Sequence, residues 1–102
     1  MDTFRERIDR IDEELIDLFC RRMDLSAQIA RYKRQNDLPL HHPERERQIL
    51  RGLSAKTKKG YEDYVTALYR LIFELSRSEQ ERIIRSEQEP GDGGGGAVQD
   101  KE

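Results

Sequence analysis

Between Phe4 and Tyr32 the apolar residues recur at alternating steps of four and three: Phe4, Ile8, Ile11, Leu15, Leu18, Leu25, Ile29 and Tyr32. That is heptad spacing, the mark of a helix with one apolar seam. Only the position between Leu18 and Leu25 breaks it, where Arg22 stands. The helix is expected to run from about Thr3 to about Asn36, with Thr3 and Glu6 as a capping box. At 1.5 Å per residue such a helix is about 50 Å long. A compact domain of about 100 residues has a radius of gyration near 13 Å. A rod of that length cannot be covered by the rest of so short a chain. A second copy can cover it, which predicts an all-α, intertwined homodimeric bundle. Composition agrees, because only 34% of the residues are hydrophobic and 39% are charged. A self-sufficient monomeric core is marginal with so little apolar material.

Two further helices follow. The stretch 37–43 (DLPLHHP) breaks the first helix, since Pro39 and Pro43 each disfavour helix at the preceding residue. A short second helix starts at Pro43, a good first-turn residue, and ends near Gly52. Residues 54–60 (SAKTKKG) read as a polar loop. The third helix spans about Tyr61 to Ser86, with Val65, Leu68, Ile72, Leu75 and Ile83 at helical spacing. Phe73 and Tyr69 widen that stripe. The domain is therefore expected over 1–88, and the Gly-rich segment 89–102 as a flexible tail.

The formal net charge of −2, with both signs interspersed, argues against a nucleic-acid binder. The single cysteine, Cys20, rules out an internal disulfide and reads as packing. No apolar run approaches the roughly 20 residues that span a bilayer. No secretory signal follows Met1. The expected location is the cytoplasm, with no membrane or nucleic-acid partner.

Polar residues on apolar faces carry the functional signal. Arg22, Ser26 and Lys33 share a face of the first helix, with Ile29 between the two cations. Ser76 and Gln80 lie on one face of the third helix, below Phe73 and Tyr69. Arg45 and Glu46 open the second helix, and Glu46 faces the side of Ile49. Arg5 is a further cation beside the seam. Arginine forks suit carboxylates, so Arg5, Arg22, Lys33 and Arg45 could converge on a small polyanion. Glu46 would accept from a ligand hydroxyl, and Gln80 would donate to an ether or carbonyl oxygen. Surface charges and flanking ion pairs of a coiled coil produce the same residue types. Nothing in the pattern calls for a metal or another cofactor.

Taken in order, these segments resemble the all-helical class of chorismate mutases over about residues 4–84. The run 5–33 (RERIDRIDEELIDLFCRRMDLSAQIARYK) is similar to that family's opening helix. PERERQIL resembles its short second helix, and ELSRSEQ its third-helix catalytic stretch. The resemblance implies a homodimer that converts chorismate to prephenate without a cofactor. It implies that Arg22 binds one substrate carboxylate, and that Arg5 reaches across the dimer to bind a carboxylate in the other site. Lys33 and Gln80 would donate to the ether oxygen of the breaking bond. Glu46 would accept from the ring hydroxyl, and Arg45 would support the charge cluster near Lys33 and Glu46. Ser76 would hydrogen-bond a carboxylate, with Ile29 and Phe73 as apolar walls. Two positions depart from the family. His42 stands where relatives often carry Asp before the helix-two proline, and Arg77 replaces an aliphatic residue.

The implied reaction is an intramolecular rearrangement that needs no nucleophile or general acid. Charge develops on the ether oxygen, where Lys33 and Gln80 would stabilise it. An amide donates at any pH, so activity should change little between mildly acid and neutral conditions. Two other readings stay open from sequence: an isochorismate-pyruvate lyase of the same fold, and a non-catalytic helical dimerisation module. A domain of a larger shikimate-pathway protein would look the same.

Overall fold

The computed structural model describes residues 1–88, and the expected flexible tail lies outside them. It contains three helices: α1 (Asp2–Gln35), α2 (Pro43–Lys56) and α3 (Glu62–Gln88). Among the described residues there is no strand. The all-α architecture and the order long, short, medium are as expected.

Three local expectations need correction. Helix α1 begins at Asp2 with Met1 as its N-cap and no side-chain cap bond. Thr3 is already helical, whereas a capping residue must be non-helical, so the Thr3–Glu6 box does not form. Instead the Arg5 backbone N–H donates to the Met1 carbonyl at 3.0 Å. Helix α2 runs past Gly52 to Lys56, taking in the first residues of the expected loop. Leu53 is buried, and its burial offsets the cost of about 1 kcal/mol for a glycine inside a helix. The Thr57 hydroxyl then donates to the Leu53 carbonyl at 2.6 Å and closes the helix. Cys20 is exposed, because it falls outside the stripe of α1 that meets α3.

The turn after α1 positions the site. Asp37 adopts φ 54°, the left-handed region that a short polar side chain tolerates. The Leu38 N–H donates to the Lys33 carbonyl at 2.8 Å, and the Asp37 N–H to the Arg34 carbonyl at 3.3 Å. This is a Schellman ending, which satisfies two of the helix's terminal carbonyls. It turns residues 38–42 back along α1 toward the start of α2.

Helix α3 is central. It packs on both α1 and α2, which do not approach each other. Small residues let α1 come close: Ser26, Ala27 and Ala30 are buried against α3, and Ala30 is fully enclosed. From α3, Phe73, Ser76 and Ile83 are buried. Among the described residues no large side chain is completely covered. The molecule is elongated, with extents of 52 × 35 × 16 Å and a Cα radius of gyration of 17.3 Å. The whole seam of α1 is open, from Ile29 at 46% exposed to Phe4 and Tyr32 at 61%. Leu68, Leu71 and Leu75 of α3 are exposed as well. With Leu15, Leu18 and Phe19 they border an almost wholly apolar groove of about 360 Å³.

Candidate active site

Because α3 holds α1 and α2 apart, a cavity of about 310 Å³ opens between them, roofed by Leu40, His41 and His42. That is the lower end of the size range for small-ligand sites. Four cations line it (Arg22, Lys33, Arg45 and Arg77) against one carboxylate, Glu46. The excess of positive charge suits a small anion.

The α1 wall comes from positions 22, 25, 26, 29 and 33, one face of a helix. Arg22 donates through Nη1 to the Ser76 hydroxyl oxygen at 3.0 Å. Its Cζ lies 5.7 Å from the Phe73 ring centre and 6.0 Å from that of Tyr69. These rings steady the guanidinium through its face and leave its other N–H groups for a ligand carboxylate. Ser76 is itself buried, with Met23 Sδ 3.9 Å from its hydroxyl.

Lys33 stands one helical turn beyond Ile29. The Schellman turn brings the Leu40 carbonyl to 3.3 Å from Lys33 Nζ, which donates to it. Partial burial lowers the Lys33 pKa below its ordinary value of 10.5. A bound anion would restore the preference for the charged form. Across the cavity, Gln80 Nε2 donates to the Ser26 carbonyl at 3.4 Å. One N–H of the amide thus anchors it to α1, and the other remains for a ligand.

From α2, Arg45 and Glu46 both line the cavity. Glu46 has its ion-pair partner on another helix. Arg77 Nη1 donates to both Glu46 oxygens, at 2.5 and 2.7 Å. Arg77 therefore points into the cavity, not out to solvent. The signal was available in the spacing: positions 73, 76, 77 and 80 form one face of α3. His42 is the N-cap residue of α2 without a side-chain cap bond, and both histidines stand exposed at the rim. Leu25, Leu40 and Ile49 add apolar wall beyond the residues expected from sequence.

Eight of the nine expected site residues thus border one cavity: Arg22, Ile29, Lys33, Arg45, Glu46, Phe73, Ser76 and Gln80. Arg5 does not. It is exposed in the first turns of α1. At 1.5 Å per residue it lies about 26 Å along the helix from Arg22.

Comparison with known proteins gives the same family. The bifunctional chorismate mutase/prephenate dehydratase of Aquifex aeolicus (strain VF5) is 34% identical over 84 residues, covering 78% of this chain and 23% of that protein. The T-protein of Haemophilus influenzae is 40% identical over 56 residues, 55% of this chain and 15% of that protein. The bifunctional chorismate mutase/prephenate dehydratase of Escherichia coli (strain K12) is 31% identical over 85 residues, 81% of this chain and 22% of that protein. The chain thus spans less than a quarter of the length of these relatives. No solved structure matches it significantly. Residues 4–81 match the family described as Chorismate mutase type II, and the chain belongs to that family.

Proposed function

We propose that the chain is a chorismate mutase: it rearranges chorismate to prephenate in a homodimer whose two sites each take Arg5 from the partner subunit. The observation that carries this reading is the cavity itself, where four cations and one carboxylate surround an apolar wall. Chorismate is a dianion with an ether oxygen and a ring hydroxyl, so its polar groups suit a cavity that carries several cationic donors and one carboxylate acceptor.

Arg22, backed by Ser76, binds one carboxylate. The partner's Arg5 binds a carboxylate from the open side. Arg45 adds positive charge near the mouth. These contacts bring the enolpyruvyl terminus over the ring, and Ile29 and Phe73 hold it there. Restraint of this kind removes an entropic part of the barrier. One C–O bond then breaks while one C–C bond forms, within a single molecule. Nothing leaves, and no proton is transferred. Negative charge builds on the ether oxygen as the bond stretches. Lys33 and Gln80 donate to that oxygen and stabilise it more in the transition state than in the ground state. Glu46 accepts from the ring hydroxyl.

The dimer is supported by the open seam of α1 and the adjoining apolar groove. An exposed apolar strip of this length marks a protein interface. No helix among the described residues is long and apolar enough to cross a membrane.

The test is loss of chorismate absorbance on adding the purified protein, with prephenate identified as product. Turnover that disappears in Arg22→Ala and Lys33→Ala is the expected result. A folded dimer without turnover would overturn the proposal. Pyruvate release from isochorismate by the same sample would assign it instead to the lyase chemistry.

A further inference from the structure

Of the seven ion pairs among the described residues, four lie within one helix and two, Arg31–Glu87 and Arg34–Glu87, join α1 to α3 outside the cavity. Arg47–Glu44, Arg82–Glu79 and Arg21–Asp17 each join residues three or four apart on one helix. Arg77–Glu46 differs, since it joins α3 to α2 inside the ligand cavity. Both side chains are largely withdrawn from solvent, with 38% and 25% of their side-chain surface exposed. Pairs in such places are screened less than surface pairs and can hold a fixed geometry.

The geometry leaves capacity on both partners. A carboxylate offers about four acceptor positions, and Arg77 engages one side of Glu46 through a single nitrogen. The remaining lone pairs of Glu46 are available to a ligand in the cavity. Arg77 also offsets the negative charge that Glu46 would otherwise set against an anionic ligand. The arginine thereby does two things at once: it orients the acceptor and makes it tolerable beside a dianion.

We infer that Arg77 is a positioning residue for hydroxyl recognition, holding the Glu46 carboxylate fixed in the cavity as the acceptor for the ring hydroxyl. This rests on the chorismate mutase reading above. The hydroxyl keeps its bonds throughout the reaction, so its contact is the same in ground and transition states. Loss of a contact of that kind raises KM and leaves kcat.

The experiment is a double-mutant cycle on purified dimer, with chorismate as substrate and circular dichroism as the check on folding. Arg77→Met should raise KM about tenfold with kcat within about threefold of wild type. Arg77→Lys should recover the larger part of that loss, because it restores a cation beside Glu46. In the Glu46→Gln background, Arg77→Met should change KM by less than about twofold. Effects of the two substitutions that multiply would overturn the inference and make Arg77 a direct ligand of a substrate carboxylate. An unchanged KM in Arg77→Met, or a loss confined to kcat, would overturn it too. Wild-type protein that does not turn over chorismate would overturn the mutase reading, and this inference with it.

Discussion

Lys33 shows how much one side chain in this cavity is asked to do. In the proposed reaction it must be charged to stabilise the ether oxygen, yet its partial burial favours the neutral form. Lys33→Ala should lower kcat by at least about 100-fold, as loss of an oxyanion-hole donor does. The pH dependence follows from the lowered pKa. The charged form is fully present below that pKa and is lost as pH rises through it. A plot of kcat/KM should therefore fall on the alkaline side with a midpoint below 10.5. The midpoint for kcat should lie higher, because bound dianion favours the ammonium. Profiles measured at low and saturating chorismate check both statements. Lys33, Arg22 and Ile29 were legible in the sequence because residues on one helix declare their common face by spacing. The link from Glu46 to Arg77 was not, since it joins two helices and no periodicity relates them.

At the scale of elements, the turn at 36–38 controls where Lys33 finds its acceptor. Asp37 is the one non-glycine residue with positive φ among those described. A β-branched residue cannot sit there without strain, so Asp37→Val should destabilise the fold by about 1–2 kcal/mol. Urea unfolding would measure this. Turnover should fall as well, because the Leu40 carbonyl would move from Lys33. The two prolines announced that a break occurs in this stretch. They did not announce its hand, which depends on how the last carbonyls of α1 are satisfied. Helix α2 taught the converse. Gly52 reads as a stop, yet the burial of Leu53 carries the helix four residues further. Local signals locate such ends only where no tertiary contact outweighs them.

At the scale of the molecule, the seam of α1 is the unfinished part. Its regular spacing was plain in the sequence, and so was its mismatch with a single small chain. The proposed dimer makes a sharp prediction about Arg5. Arg5→Ala and Arg22→Ala should each be inactive alone. Mixed and re-equilibrated, they form heterodimers in which one site has both arginines and the other has neither. Random pairing should restore about a quarter of wild-type activity, since half the dimers are mixed and half their sites intact. A mixture as inactive as its parents would place Arg5 outside the site. The small core has a consequence of its own. Five hydrophobic residues are buried among those described, and of these five the one wholly enclosed is an alanine. In the proposed dimer a chain so thinly filled reaches its full apolar burial only on pairing, so folding and association become one equilibrium. Its melting temperature should then rise with protein concentration, and dilution alone would act as an off-switch.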